Sequence, residues 1–340
     1  MPAFKGLTVI AAKDRNTPRP FATLSPDRVL DAVDSLGLDA DGRLFALNSY
    51  ENRVYQVGTA QGMMVLKFYR PGRWSDAQII EEHQFAQELA ARDLAVATPW
   101  TQRGRSLFEF EGFRFSVFHY CAGRSPDFSA PQALRMLGRA LGRLHAIGRV
   151  KMFRAREQFS AARRGHAARE AVLNSGMLDD ALADRYSDLS AQLLDRIEGE
   201  FAAVGRLEHP RIHGDCHPGN ILWTPSGPLF VDLDDSTNGP AVQDLWMFLN
   251  GDSDTQRGQW AELSAGYLEF TELNYVELRL VEALRGLRIL HHVGWIAARW
   301  DDPAFPRAFP DFAAPRFWEG HLNEILEQLA AIEQPPLLSA

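Results

Sequence analysis

Residues 213–223 read HGDCHPGNILW, and five of the first eight carry side chains able to bind a cation: His213, Asp215, Cys216, His217 and Asn220. Two chemistries suit such a run. His213, Asp215 and His217 alternate, so on an extended strand they would face one side, as the ligands of a hydrolytic zinc do. Pro218-Gly219 interrupts the run at once, and neither HExxH nor a second cysteine pair accompanies it. The other chemistry reads His213-x-Asp215-x-x-x-x-Asn220 as a loop. ILW, a turn at Pro225-Ser226-Gly227 and PLFVDLDD follow, which carry Asp232 to the end of a second strand, across a hairpin from Asn220. An asparagine and an aspartate held together suit Mg²⁺, which prefers oxygen ligands and keeps waters and phosphates in its shell. Asp215 is then left to orient a hydroxyl and accept its proton, the division of labour that phosphoryl transfer needs.

Other elements must position these residues. Ser25-Pro26-Asp27 opens a helix that runs to about Gly37: an N-cap, a proline at the first helical position, then an acid. RLFALNSYENRVYQVG predicts two strands joined by the polar turn Asn48 to Asn52, and MMVLKFYRP a third strand stopped by Pro71. Residues 75–91 carry Ile79, Ile80, His83, Phe85, Ala86 and Leu89 at helical spacings. Residues 106–120 alternate as a hairpin about Glu111-Gly112. Beyond Gly123 the pattern is helical, with helices expected over 131–147, 187–204, 259–269, 275–300 and 317–333 and one hairpin at ILWT and PLFVDLDD. The order is therefore a small β-rich lobe, a link near residue 121, and a larger α lobe, with a crevice between them suited to a ligand.

Composition narrows the class. Forty-four acids against 36 bases give a net charge of −8, which argues against a dedicated nucleic-acid binder. Two cysteines, Cys121 and Cys216, cannot build a disulfide framework and fit a reducing compartment. The first 20 residues lack a secretory h-region, and no run approaches the roughly 18 apolar residues of a membrane span. A cytoplasmic monomer with no membrane partner is expected, with EQPPLLSA as a loose tail.

Six stretches carry a further signal: NSYENRVYQ (48–56), VLKFYRPGRW (65–74), EEHQFAQEL (81–89), HGDCHPGNILW (213–223), FVDLDDSTNGPAVQDLWMFLNGD (230–252) and RWDDPAFPRAFP (299–310). In this order they resemble kinases of the aminoglycoside-phosphotransferase-like superfamily, and more closely the bacterial stress response kinase A family. The resemblance implies an α+β, two-lobed protein-kinase-like fold. Residues 1–120 would form the N-lobe and 121–340 the C-lobe, with ATP as co-substrate and Mg²⁺ as cofactor. By position, Asp215 is implied as the catalytic base. Asn220 and Asp232 are implied as the Mg²⁺ ligands, with Asp232 also counted catalytic. Lys67 falls at the lysine of the third strand that neutralises ATP phosphate, with Glu82 as its helix partner and Glu81 the nearest competitor. Ser49 falls in the loop over the phosphates. The implied activity is transfer of the γ-phosphoryl group to Ser or Thr of a protein. A small-molecule kinase for an amino alcohol, sugar or aminoglycoside is the alternative on the same fold. A non-catalytic nucleotide sensor is a third reading, against which the presence of Lys67, Asp215, Asn220 and Asp232 argues.

The chain also departs from the wider kinase pattern. SYENRV replaces GxGxxG, so phosphate contacts would fall to the Ser49 or Asn52 side chains. DLD replaces DFG, and no APE follows. Twelve positions separate Asp232 from Asp244, too few for a long phosphorylatable loop, so a site assembled without phosphorylation of Ser236 or Thr237 is expected.

Plainer roles are expected elsewhere. Lys67 taken alone reads as an edge-strand charge, and Glu82 as a solvated helix residue. His213 would fix backbone, Cys216 would pack, and Asp234 and Asp235 would be structural or solvated. Asp244 would cap LWMFL or hold the catalytic loop. For His217, aid to the transferring phosphoryl group and a structural role stand equal. His291-His292 read as core histidines. The basic run 151–169 reads as a solvated helix face, with docking of an acidic protein as its alternative.

Overall fold

The computed structural model describes residues 19–336 and residue 338. Residues 1–18, read above for a leader, and 337, 339 and 340 of the tail lie outside them. Helix α1 (Pro26–Asp34) starts as its sequence predicts, with the Ser25 hydroxyl accepting from Arg28 N and Pro26 at the first helical position. Three strands follow, β1 (Ala40–Ala46), β2 (Arg53–Thr59) and β3 (Gly62–Phe68), then helix α2 (Asp76–Ala90). Strands β4 (Phe108–Phe110) and β5 (Phe113–His119) form the hairpin about Glu111-Gly112. The sheet order is β1-β2-β3-β5-β4, antiparallel throughout. β3 is thus the central strand, and Lys67 is not an edge-strand charge. Alternation along β3 sends Met64, Leu66 and Phe68 into the core under α1, and turns Lys67 to the opposite face.

The second half is helical: α3 (Pro131–Gly148), α4 (Ala161–Leu173), α5 (Asp180–Val204), α6 (Ser253–Tyr267), α7 (Leu280–Ala297), α8 (Ala304–Ala308) and α9 (Pro315–Ile332). Short strands lie between α5 and α6: β6 (Arg211–Ile212) pairs with β9 (Thr237–Asn238), and β7 (Ile221–Thr224) with β8 (Gly227–Phe230). Helix α5 begins earlier than the apolar pattern predicts because Asp179 caps it, accepting from Leu182 N. The basic run supplies α4, and the expected helix over 275–300 splits into a 3₁₀ turn, Tyr275–Arg279, and α7. Leu338 is buried at the larger core, so the tail is not loose at that point.

Among the described residues, apolar side chains form two cores. One lies between α1 and the five-stranded sheet; the other fills the helical lobe. Helix α2 opens with a capping box, Ser75 with Gln78, and sends Phe85, Ala86 and Leu89 into the second core. Its inner face therefore couples the sheet to the helical lobe. Among the described residues no helix is long and apolar enough to cross a membrane.

Candidate active site

The loop after β6 is held from below. The buried Asp244 carboxylate accepts from His213 N (2.7 Å), Gly214 N (2.8 Å) and the His145 Nε2–H (3.0 Å). It holds this loop and caps no helix, and LWMFL folds as a 3₁₀ turn, Trp246–Phe248. Gly214 has φ +86°, and a Cβ there would sit 2.1 Å from the Asp235 carbonyl oxygen. The His213 ring donates through Nε2 to Val231 O at 3.0 Å, tying the loop to the β7–β8 hairpin. His217 Nδ1 accepts from Gly219 N. One ring nitrogen of each histidine in the alternating run is thus committed to backbone. No group of three or more His, Cys, Asp or Glu is placed to hold a metal among the described residues, so the zinc arrangement does not form. Cys216 is fully buried, as a packing residue should be.

The hairpin brings Asn220 and Asp232 together. Ile221 pairs with Phe230, and Val231 N donates to Asn220 O at 3.0 Å. Asn220 Nδ2 donates to Asp215 O at 2.9 Å, which fixes the amide and leaves its oxygen as the unused acceptor. Asp232 adopts the left-handed conformation, φ 55° and ψ 66°, unusual for a non-glycine residue and frequent at functional sites. Its side chain is half exposed. Two hard oxygen donors at an open face fit a small hard cation such as Mg²⁺, which takes few protein ligands and completes its shell with water and phosphate.

Lys67 reaches this point from the sheet. Its Nζ lies 2.7 Å from Asp232 Oδ1 and 3.0 Å from Asp234 Oδ1. Burial alone would lower its pKa, but the charges of Asp232, Asp234 and Glu82 outweigh that and hold it well above the ordinary lysine value. Asp234, read from sequence as structural or solvated, is buried. Its Oδ2 also meets Arg73 Nη1 (2.7 Å) and Asn52 Nδ2 (3.2 Å). Burial would raise the Asp234 pKa, and Lys67, Arg73 and Arg156 together drive it below the usual carboxylate range. The run of three acids after a buried strand was the available signal for it.

Glu82 is buried, not solvated, and it does not pair with Lys67. Its Oε2 meets Arg156 Nη2 at 3.2 Å. Two aspartates already occupy the lysine, and Arg156 lies closer to the helix. The Arg156 guanidinium also donates to Asp234 O (2.9 Å), Ser236 O (2.7 Å) and Gln78 O (3.0 Å), under the Trp74 ring. It is therefore an internal staple between α2 and the segment after Asp232, and no part of a solvated face. Glu81 is no competitor for Lys67, because its carboxylate accepts from the backbone N–H groups of Arg154, Ala155 and Arg156. Ser236 and Thr237 are buried, with Thr237 Oγ1 donating to Glu157 O. Neither hydroxyl is presented for modification in the folded chain.

Over the crevice, Ser49 Oγ donates to Asn52 O at 3.2 Å and stays partly exposed. Asn52 is buried and occupied at both ends of its amide, by Arg70 N and by Asp234, so it is unavailable to a phosphate. Asp215 follows Gly214 in the loop after β6, its backbone oxygen accepting from Asn220 Nδ2. Arg288 Nη1 lies 2.7 Å from its Oδ1, and His217 Nε2 lies 3.5 Å from its Oδ2. Burial would raise the Asp215 pKa, but His217 and Arg288 pull it far below the ordinary aspartate value. Arg288 had no signal in the sequence. His291 and His292 are solvent-accessible rather than core residues, although the His292 ring stacks on Trp295.

The profile of the phosphotransferase enzyme family (APH) matches residues 44–284. The chain belongs to this family. It is 39% identical over 318 residues to stress response kinase A of Escherichia coli strain K12, covering 93% of this chain and 96% of that protein. It is also 39% identical over 322 residues to serine/threonine protein kinase RdoA of Salmonella typhimurium, with the same coverage. The chain is thus a phosphotransferase of the stress response kinase A family. Among solved structures, the amicoumacin kinase hAmiN, in complex with AMP-PNP, Ca²⁺ and Ami, shares the fold with a TM-score of 0.69. That match has 16% identity and covers 90% of this chain and 93% of that one. The two-lobed α+β fold expected from the sequence is the one found.

Proposed function

We propose that this phosphotransferase is an ATP- and Mg²⁺-dependent kinase acting on Ser or Thr hydroxyls of protein. The convergence of four side chains carries the reading. Lys67, from the central strand, meets Asp232 at 2.7 Å; Asn220 lies across the hairpin; and the Asn220 amide donates to Asp215 O at 2.9 Å. When bound, Mg²⁺ would neutralise phosphate charge, and Asn220 and Asp232 would be the residues that hold it. Lys67 screens phosphate charge, and Ser49 stands in the loop over the phosphates. Glu82 supports this lysine through the field of its carboxylate, while bonded to Arg156. Asp215 orients the acceptor hydroxyl. A carboxylate of such low basicity takes the proton late, as a loose transition state allows.

The names of the relatives and the presence of Lys67, Asp215, Asn220 and Asp232 support this reading. Its test is transfer of label from γ-labelled ATP into cell extract by the wild type and by Asp215→Asn. Protein bands should take label from the wild type. Asp215→Asn should bind ATP nearly as well but lose at least a hundredfold in turnover. Label appearing only in small metabolites would establish the small-molecule alternative, and retained turnover in the variant would remove Asp215 from its role.

A further inference from the structure

The wall around Asp215 is more cationic than transfer to a neutral hydroxyl requires. Arg288 lies on α7, its guanidinium nearly half exposed and 2.7 Å from Asp215 Oδ1. That guanidinium occupies one of the two oxygens an acceptor hydroxyl would use. Arg164, on α4, is partly buried and stacks on the Phe159 ring at 4.6 Å. It makes no ion pair within 4.0 Å among the described residues, although Asp235 and Asp215 act on it from further off. Burial depresses its pKa, the mark of a guanidinium stripped of water without a close counter-charge. The two helices are tightly joined: a Cβ on Gly294 of α7 would sit 2.5 Å from Ala168 Cα of α4. His291, one turn beyond Arg288 on α7, feels both Arg164 and Asp215. Gly165 of α4 packs on Leu287 of α7, where a Cβ would sit 3.4 Å from Leu287 Cδ1, so the next residues along each helix, Arg164 and Arg288, lie at adjoining positions beside Asp215.

Resting on the kinase reading above, we propose that the acceptor is an acidic segment, a Ser or Thr flanked by Asp or Glu. Its carboxylates pair with Arg164 and draw Arg288 away from Asp215. The freed Asp215 oxygen then accepts from the Ser or Thr hydroxyl. The hydroxyl oxygen bonds to the γ-phosphorus, the bond from that phosphorus to the β–γ bridging oxygen breaks, ADP leaves, and the proton passes to Asp215. A desolvated arginine without a near partner is strongly disposed to bind a carboxylate, and a cationic acceptor would meet two like charges beside the reacting oxygen. Arg164 and Arg288 act as specificity-determining residues.

The test uses the full-length protein with Mg-ATP and three peptides, each with one serine, flanked by Asp/Glu, by Ala or by Lys. The acidic peptide should exceed the alanine peptide at least tenfold in kcat/KM, with the lysine peptide slowest, and the preference should shrink with added salt. Arg164→Gln should reduce that ratio to within about twofold, chiefly through KM; Arg164→Lys should restore much of it; Arg164→Glu should favour the lysine peptide. Melting curves establish that each variant is folded, and the Lys variant keeps the test decisive if the Gln variant is not. Transfer to all three peptides at equal rates would overturn the inference alone. So would an Arg164→Gln variant that slows all three equally, since the arginine would then serve the phosphoryl group or the fold. No transfer to any peptide, with ATP turned over on small hydroxyl compounds, would overturn the protein-kinase reading and this inference together.

Discussion

At Asp215, burial and charge oppose one another and charge prevails. His217 and Arg288 hold the carboxyl far below its usual range, so it is ionised across the whole working pH of an enzyme. The kcat/KM profile should therefore show no acid limb from Asp215 above pH 5. Arg288→Gln removes one of the two partners, so the Asp215 titration should move up toward the ordinary aspartate range. The Asp215 carboxyl carbon shift followed by NMR from about pH 2.5 to 6 in both proteins checks this; identical titration curves would mean that Arg288 does not govern Asp215 in solution. His213 illustrates legibility at this scale. Its backbone-fixing role follows from a loop whose ends lie close in sequence, and its bond to Val231 O is the one found. The burial of Asp234 was not legible, since burial depends on what packs over a residue and not on its neighbours in the chain.

Short elements, more than long helices, shape the base of the site. The 3₁₀ turn Tyr275–Arg279 carries Glu277, whose buried Oε2 accepts from Val242 N at 3.0 Å in the turn that ends at Asp244. Burial pushes its carboxyl up to about 7, against the pull of the Val242 N–H and the Arg149 charge. The folded pKa exceeds the unfolded one. The stability tied to this group is thus fully present below about pH 4.5 and lost as pH rises through about 7. Glu277→Gln keeps an acceptor for Val242 N and removes the charge. It should stabilise the protein at pH 8 by up to about 3 kcal/mol, and by little at pH 5, as chemical denaturation at the two pH values would report. Equal effects at both would place the Glu277 carboxyl in the ordinary range. The helix over 275–300 was visible from its apolar spacing, but its break at residue 280 was not. That break depends on Glu277 turning inward to the Val242 backbone.

Across the whole molecule, the lobes are joined by charge as well as by apolar contact. Asp302, after α7, meets Arg53 of β2 at 2.9 Å and Arg70 at 2.5 Å. Glu51, in the loop over the crevice, meets Arg70 (3.0 Å), Arg299 (2.5 Å) and Trp295 Nε1 (2.6 Å). Tyr50 packs against Trp295, Phe305 and Phe309. The motif RWDDPAFPRAFP thus works as a clasp on the loop that carries Ser49. Asp302→Ala takes the carboxylate from Arg53 and one of two from Arg70, which keeps Glu51, so the loss should fall below the roughly 3–5 kcal/mol of a buried charge left wholly unpaired. Expected are a clear fall in the calorimetric Tm, a raised KM for Mg-ATP and faster amide exchange at residues 48–54. An unchanged Tm and KM would reduce the clasp to a surface contact.

The sequence by itself determined the order of the lobes, the loop over residues 213–220, the β7–β8 hairpin and the family. Each depends on short-range spacing: a cap, a turn, an alternation, or a hairpin that returns Asp232 to Asn220 within a dozen residues. Tertiary structure alone decided which charges meet. Lys67 and Asp232 are 165 residues apart, Arg156 and Glu82 are 74 apart, and Arg70 and Asp302 are 232 apart. Such pairs arise when two separately folded surfaces close on each other. A buried charge then takes the partner that packing places nearest, so Glu82 went to Arg156 and Lys67 to a second aspartate.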